Sequence, residues 1–197
     1  MPSLIFYKTI ALLLLSAFYI SYFAKMLMLK KQNIQGNILG KGQKPQGSVN
    51  IEVALRFTTF LIAPIQFSSV IWDKAIWSLP MFPTMCEDGL ILMFFGVVVF
   101  LLAIITMRNN WRAGYSYEQD TQLVTSGVYK FSRNPAFVGF DLLYIGCALA
   151  FPNIINATIT LAAVVLLHLQ ILGEEKFLAG KFGTAYLNYK TKVRRYI

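Results

Sequence analysis

The chain has 197 residues, of which 56% are hydrophobic and only 14% charged, and its formal net charge is +9. Soluble domains of this length average about a quarter charged residues, so the composition excludes an ordinary soluble domain and predicts an integral membrane protein. Its basic residues do not alternate with aromatic residues outside the apolar segments, so we expect no nucleic-acid binding. Cys86 and Cys147 lie in different regions, form no metal-binding spacing and predict no metal site.

Five apolar segments predict membrane-spanning helices: Leu4–Met28, Val53–Ile71, Gly89–Met107, Ala136–Phe151 and Ile154–Leu172. The first is too long for the apolar part of a cleaved signal, so we expect it to be retained as the first span. The fourth would cover only about 22 Å, less than the hydrocarbon core of about 30 Å. We therefore expect an all-α integral membrane protein of about five transmembrane helices, the last two forming a hairpin, with a helical C-terminal tail.

Basic residues gather in the first connector, the third connector and the tail, whereas the opposite side carries only Lys8 and Lys74. Because cytoplasmic loops are rich in Lys and Arg, this bias predicts an outside N-terminus and a cytoplasmic C-terminus. The small size and the lack of an organelle signal favour a prokaryotic plasma membrane. We expect two parts, the first three spans at 1–107 and a functional half at 108–197.

The connector before the fourth apolar segment ends in Arg133-Asn134-Pro135. Asn is a good helix cap and Pro a good first helical residue, so this sequence predicts a helix start. A helix N-terminus with an adjacent Arg also binds anions, so a carboxylate or phosphate site is the alternative. Both interpretations stay open from the local sequence.

Glu174-Glu175 follows the fifth apolar segment, where we expect the helix to end. One interpretation is a solvated helix end. The other is a binding role, because acids in the last turn of a helix oppose its macrodipole. His168 and Asp141 are polar residues inside apolar segments, for which an interhelical hydrogen bond and a functional role are the two readings.

Two blocks together resemble the isoprenylcysteine carboxyl methyltransferase family and the related phospholipid methyltransferases. The first is Leu123-Val124-x-x-Gly127-Val128-Tyr129-x-x-x-Arg133-Asn134-Pro135-x-Phe137-x-Gly139. The second is Glu174-Glu175-x-x-Leu178-x-x-x-Phe182-Gly183-x-x-Tyr186-x-x-Tyr189-x-x-x-Val193-Arg194. The similarity covers the C-terminal half from Asn109, and the first two spans carry no comparable signature.

The resemblance implies an S-adenosylmethionine-dependent membrane enzyme whose cofactor lies among the last two helices, the preceding connector and the tail. The implied cofactor-binding residues are Val124, Gly127, Val128, Tyr129, Arg133, Asn134, Pro135, Phe137, Glu174 and Glu175. The implied catalytic residues are Arg133, Asn134, Glu174, Trp111 and Arg112, of which the last two align with a block facing the substrate. Asn134 replaces the usual His, Phe137 the usual Tyr, and Gln170 stands where some relatives have Arg.

The resemblance also implies methyl transfer to the carboxylate or thiol of a lipophilic acceptor that enters from the bilayer. A phospholipid (ethanolamine) N-methyltransferase is the alternative within the same chemistry. An NADPH-dependent membrane reductase and a non-catalytic membrane protein of this fold are the others. All depend on one spatial expectation, that Arg133-Asn134-Pro135 and Glu174-Glu175 meet at the same side of the membrane.

Overall fold

The computed structural model describes residues 4–72, 83–118 and 120–196. Six α-helices form in chain order: α1 (Leu4–Lys31), α2 (Gln46–Ile71), α3 (Pro83–Met107), α4 (Pro135–Ala150), α5 (Ile154–Phe182) and α6 (Thr184–Lys192). Short 3₁₀ turns cover Arg108–Asn110 and Gly127–Lys130, and the one extended pairing among the described residues is a bridge between Asn37 and Ala113. The expected all-helical fold is therefore confirmed for this part of the chain, while Lys74 lies outside it.

Four helices, α1, α2, α3 and α5, are long and apolar enough to cross a membrane. Helix α4 is apolar but has only 16 residues, which corresponds to about 24 Å. Each of the five predicted apolar segments is thus helical. The length of α4 agrees with the expectation of a short fourth segment.

Helices α3 and α4 pack antiparallel with their backbones in direct contact. Gly89 faces Gly146, and a Cβ added to either glycine would lie 2.5 Å from the carbonyl oxygen of the other. About two turns further along α3, Gly96 faces Gly139, and a Cβ added to either glycine would lie 2.9 Å from the carbonyl oxygen of the other. Small residues at such positions let membrane helices approach closely, so van der Waals contact and backbone proximity hold this pair together.

An aromatic cluster joins this pair to α1 and to the third connector. The ring centroid of Phe100 lies 4.5 Å from that of Phe18 and 5.2 Å from that of Phe140. Trp111, which follows α3, packs edge-on against Tyr22 of α1 at 5.6 Å. The beginning of the long connector is therefore fixed to the helix bundle.

The sequence predicted that the fifth helix ends near Glu174-Glu175. Helix α5 instead continues to Phe182. Residues 174–181 are mostly Glu, Lys, Leu and Ala, which favour helix formation, and nothing in them stops the helix. The argument that the two acids oppose the macrodipole of a last turn is therefore wrong. Both carboxylates instead project from the last third of a helix about 43 Å long, about two turns before its end.

Replacing Gly146 by Val should destabilise the protein, because the added side chain meets the backbone of α3 rather than a flexible side chain. We expect the free energy of unfolding to fall by about 1–3 kcal/mol or more. Circular dichroism during thermal unfolding in detergent measures the change. Gly180→Ala is the matched control, because a Cβ at Gly180 meets no atom within 4 Å. Equal stability of the two variants would contradict backbone contact between α3 and α4.

Candidate active site

A cleft of about 870 Å³, counted out to its open mouth, lies between the third connector, α4, α5 and α6. Eight of the residues predicted for the site line the cleft: Trp111, Arg112, Val124, Tyr129, Arg133, Asn134, Phe137 and Glu174. Gly127, Val128, Pro135 and Glu175 lie outside its lining.

Glu175 is buried at the junction of α4, α5 and the tail. Its Oε1 accepts hydrogen bonds from Arg133 Nη2 at 2.7 Å and from Arg195 Nε at 3.0 Å. Its Oε2 accepts another from Arg195 Nη2 at 3.0 Å. Hydrogen bonding to Glu175 raises the pKa of Arg195 further above its ordinary value. One carboxylate and two guanidinium groups thus form a charged cluster beside the cleft.

The arginine-asparagine-proline bend also binds the backbone of the tail. Arg133 Nη1 donates to the carbonyls of Val193 at 2.6 Å and Lys190 at 3.1 Å. The Arg133 amide donates to the Arg194 carbonyl at 3.0 Å. The expected meeting of Arg133-Asn134-Pro135 with Glu174-Glu175 is therefore present in the structure.

Asn134 occupies the N-cap position of α4 and Pro135 the first helical position, as the sequence predicted. The Asn134 side chain makes no capping hydrogen bond, however. Its Nδ2 donates to the Arg195 carbonyl at 3.1 Å instead. This bond turns the side-chain amide towards the tail, so Asn134 contributes to tail docking rather than to capping.

Glu174 points into the cleft and differs from its neighbour in its partners. Its Oε1 accepts a hydrogen bond from Gln170 Nε2 at 3.0 Å. Among the described residues, no cation pairs with Glu174 directly. Adjacent residues on a helix point about 100° apart, which explains why one carboxylate meets the arginines and the other meets the cleft.

Arg112 lines the other side of the cleft. Its Nη1 donates to the carbonyls of Asn109 and Trp111, while its Nε–H is buried without a hydrogen-bond partner among the described residues. Burial lowers the pKa of Arg112 from its ordinary value, but a guanidinium remains charged at neutral pH. A buried donor without a partner is costly, so this nitrogen is suited to a ligand acceptor.

Tyrosines form much of the remaining wall. The Tyr189 hydroxyl donates to the Tyr129 carbonyl at 2.6 Å, which ties α6 to the connector. Burial raises the pKa of Tyr186 and Tyr189 to about 12, so both hydroxyls stay protonated at neutral pH. The Tyr186 hydroxyl is buried beside the Arg133 guanidinium.

Gly127 shapes the connector behind the cleft. It has φ +58° and begins a 3₁₀ turn, and a Cβ there would lie 2.9 Å from the Thr106 side chain. Both the left-handed backbone and the close contact favour glycine. This turn places Tyr129, whose pKa is raised by burial, at the cleft wall.

Sequence reasoning missed residues of the first connector and α2. Glu52 and Lys44 form an ion pair of 2.5 Å with both side chains fully buried, and Glu52 contacts Gln170 behind Glu174. The signal available was a lone acid at the start of an apolar segment, eight residues after a lysine. Tyr115, which stacks on Phe177 at 5.0 Å, was also missed.

His168 and Asp141 lie apart from the cleft lining. His168 Nδ1 is 2.5 Å from the Tyr196 hydroxyl, so it contacts the tail rather than a neighbouring helix. Asp141 Oδ1 is buried with no described partner. Among the described residues, no group of three or more His, Cys, Asp or Glu side chains is placed to hold a metal ion.

Glu175→Gln should release the tail, because two guanidinium groups would lose their shared carboxylate. Breaking a buried ion pair costs about 3–5 kcal/mol. We expect the Arg133 amide, now bonded to Arg194, to lose its protection from hydrogen exchange. Lys190→Gln is the control, since Lys190 is half exposed and lies 3.8 Å from Glu175, so its loss should cost less than about 1 kcal/mol. Unchanged exchange in Glu175→Gln would contradict this role.

Comparison with known proteins places the chain in a family. A family model described as phospholipid methyltransferase matches residues 85–185, from α3 into α6. Protein-S-isoprenylcysteine O-methyltransferase A of Arabidopsis thaliana is 34% identical over 109 residues, which are 53% of this chain and 55% of the relative.

Two further relatives carry the same name without the final letter. The Xenopus laevis protein is 36% identical over 108 residues, covering 53% of this chain and 38% of its own length. The Saccharomyces cerevisiae protein is 30% identical over 131 residues, covering 61% of this chain and 52% of its own length. The chain thus spans about half the length, or less, of these curated relatives. Because the family model covers just over half of the chain, the chain belongs to the phospholipid methyltransferase family, as a relative of the isoprenylcysteine O-methyltransferases, which confirms the resemblance.

Proposed function

We propose that the chain is an integral membrane methyltransferase that uses S-adenosylmethionine and transfers a methyl group to the carboxylate of a lipophilic, isoprenylcysteine-type acceptor. Family membership supports methyl transfer, and the names of three relatives support this acceptor. A thiol acceptor is the second form of the same proposal. The acceptor would enter the cleft laterally from the bilayer.

An acidic and a basic side chain in one cleft support the pairing of cofactor and acceptor. The carboxylate of Glu174 and the guanidinium of Arg112 both line the cleft. S-adenosylmethionine carries a cationic sulfonium and an ammonium, which suit Glu174, and an anionic acceptor suits the unpartnered Nε–H of Arg112. The residues present therefore fit this cofactor, with Phe137 and the tyrosines as its apolar walls.

The other predicted residues take supporting roles in this proposal. Four of the five guanidinium N–H groups of Arg133 are used by Glu175 and by the carbonyls of Lys190 and Val193, and the group also lies beside the Tyr186 hydroxyl. Arg133 and Asn134 would hold the tail against the cleft. Val124 and Tyr129 would contact the cofactor, whereas Gly127, Val128, Pro135 and Glu175 would shape the walls from behind.

When bound, S-adenosylmethionine supplies an electrophilic methyl group on its sulfonium sulfur. The protein then has to orient the two ligands and exclude water. A carboxylate acceptor is ionised at neutral pH, so the cleft needs no residue that removes a proton from it. The positive charge of Arg112 favours such an acceptor and disfavours the ammonium of an ethanolamine headgroup.

We also propose the finer topology. Helix α4 would be a short fourth crossing, which makes five in total, and would form a hairpin with α5 that thins the bilayer locally. Contacts between Asn37 and Ala113, and between Glu52 and Gln170, gather the basic connectors at the end of the bundle that carries the tail. The positive-inside rule assigns this end, and the C-terminus, to the cytoplasmic side of a prokaryotic plasma membrane. Residues 1–107 would support the catalytic half at 108–197.

Calorimetry and methyl-transfer assays on the purified protein test the proposal. We expect the demethylated product, S-adenosylhomocysteine, to bind the wild-type protein, and labelled methyl groups to reach a farnesylated cysteine. Methylated ethanolamine lipids would instead identify the phospholipid N-methyltransferase that the family description allows. Binding of NADPH in place of S-adenosylhomocysteine would overturn the proposal.

Arg112→Gln should raise the acceptor KM by about 10- to 100-fold, because one charged hydrogen bond is lost. The Kd for S-adenosylhomocysteine should stay nearly unchanged. Glu174→Gln should instead weaken the binding of S-adenosylhomocysteine by about 10- to 100-fold and leave the acceptor KM nearly unchanged. Arg108→Gln is the control, since Arg108 is exposed and lies outside the cleft lining, and it should change neither constant. If Arg112→Gln weakened only cofactor binding, the roles of the two walls would be reversed.

A further inference from the structure

A buried ion pair lies directly behind the cleft, in a part of the chain that the family model does not match. Lys44 Nζ is 2.5 Å from Glu52 Oε2, and both side chains have no solvent-exposed surface. Removing two charges from water is costly, and replacing such a pair by apolar residues often stabilises a protein. Stability alone is therefore a weak explanation for this pair.

Glu52 is surrounded by donors from four places in the chain. Its Oε2 accepts from the Gly40 amide at 2.7 Å as well as from Lys44. Its Oε1 accepts from the Tyr115 amide at 3.4 Å and from Gln170 Nε2 at 2.9 Å. A Cβ on Gly114, which lines the cleft, would lie 3.2 Å from the same Oε1. Glu52 thus supports the cleft wall from behind.

Gln170 connects this buried carboxylate to the one in the cleft. Its Nε2 donates to Glu52 Oε1 at 2.9 Å and to Glu174 Oε1 at 3.0 Å. A side-chain amide has two N–H donors on one nitrogen, so both are used and the orientation of the amide is fixed. Glu174 Oε1 is held by this bond. Its Oε2 has no described hydrogen bond, so it is the oxygen that remains for a ligand.

The charge of Lys44 makes this arrangement possible. Two carboxylates that share one neutral amide repel each other, and the repulsion is strong where water is excluded. Lys44 neutralises Glu52, so Glu174 is the one of the two acids without a paired cation among the described residues. An Arg at position 170 would pair with Glu174 and occupy it. Gln170 fixes Glu174 without neutralising it.

We propose that Lys44 and Glu52 are positioning residues that act through Gln170 to aim Glu174 at the cationic part of the cofactor. This inference rests on the proposed function, and it makes the first connector and α2 part of the site. A purely structural role, in which these residues only join α2 to α5, predicts the same stability effects but different binding effects.

Two variants interrupt the connection at different points. Gln170→Leu removes the shared amide and leaves the ion pair intact, whereas Lys44→Met with Glu52→Leu removes the pair and leaves Gln170 free to turn. We expect each to weaken S-adenosylhomocysteine binding about tenfold, the effect of one hydrogen bond to a charged group. Combined, they should weaken it no more than either alone, because they interrupt the same connection. The acceptor KM should change less than twofold.

The Glu174→Gln background separates positioning from structure. If Lys44 and Glu52 act through Glu174, adding their double substitution to Glu174→Gln should change the Kd for S-adenosylhomocysteine less than twofold. A full tenfold further loss in that background would overturn the proposal, as would wild-type affinity in Gln170→Leu. Should Lys44→Met with Glu52→Leu fail to fold, Gln170→Leu and Glu174→Gln complete the same comparison.

Gln66→Leu is the matched control. Gln66 is a fully buried glutamine in α2 that accepts a hydrogen bond from the Tyr19 hydroxyl, about 21 Å along the helix from Glu52. It should lower thermal stability without changing the Kd. If wild-type protein bound no S-adenosylhomocysteine at all, the proposed function would fail first, and this inference with it. Normal wild-type binding with no effect of Gln170→Leu would refute the inference alone.

Discussion

The site depends on the burial of one carboxylate, that of Glu175, between two guanidinium groups. Arg133 reaches it from the start of α4 and Arg195 from the tail, while Glu175 itself belongs to α5. A buried carboxylate is tolerated only when it is paired and hydrogen-bonded, so each of these three segments fixes the other two. The tail backbone, held by Arg133 and Asn134, then places Tyr186 and Tyr189 against the cleft. Without this cluster, the cleft would lose a wall rather than a single contact.

The neighbouring Glu174 uses the same helix for the opposite purpose. Glu175 is compensated by arginines and holds the structure together, whereas Glu174 is held by a neutral amide, has no paired cation among the described residues and faces the cleft. The helical rotation of about 100° between adjacent residues is sufficient to separate the two environments. A pair of acids in the sequence therefore corresponds to one position paired with arginines and one facing the cleft, which neither residue type nor spacing reveals by itself.

Local sequence information accounts for the features that were predicted correctly. Apolar run length gave five helices, and Asn134-Pro135 gave the start of α4, because both signals depend on neighbouring residues alone. The continuation of α5 to Phe182 was not predicted although its residues favour a helix, because the apolar run ends at Leu172 and the polar end of the helix carries no apolar signal. The contact of Glu52 with Gln170 joins residues 118 positions apart, so no local pattern carries it. The hydrogen bond from the Asn134 side chain to the Arg195 carbonyl likewise forms only after the tail has docked.

Close backbone packing explains why charges from distant segments can share one cleft with defined geometry. Contact between Gly89 and Gly146, and between Gly96 and Gly139, leaves α3 and α4 little freedom to slide. Arg112 follows the end of α3 and Arg133 precedes the start of α4, so the rigid pair fixes the spacing of these two cations. Glu174 is set independently, by α5 and by the buried pair of Lys44 and Glu52. The matched region 85–185 thus contains Arg112, Gln170 and Glu174 of the cleft, but neither the buried pair of Lys44 and Glu52 behind them nor Arg195 of the tail, which binds Glu175.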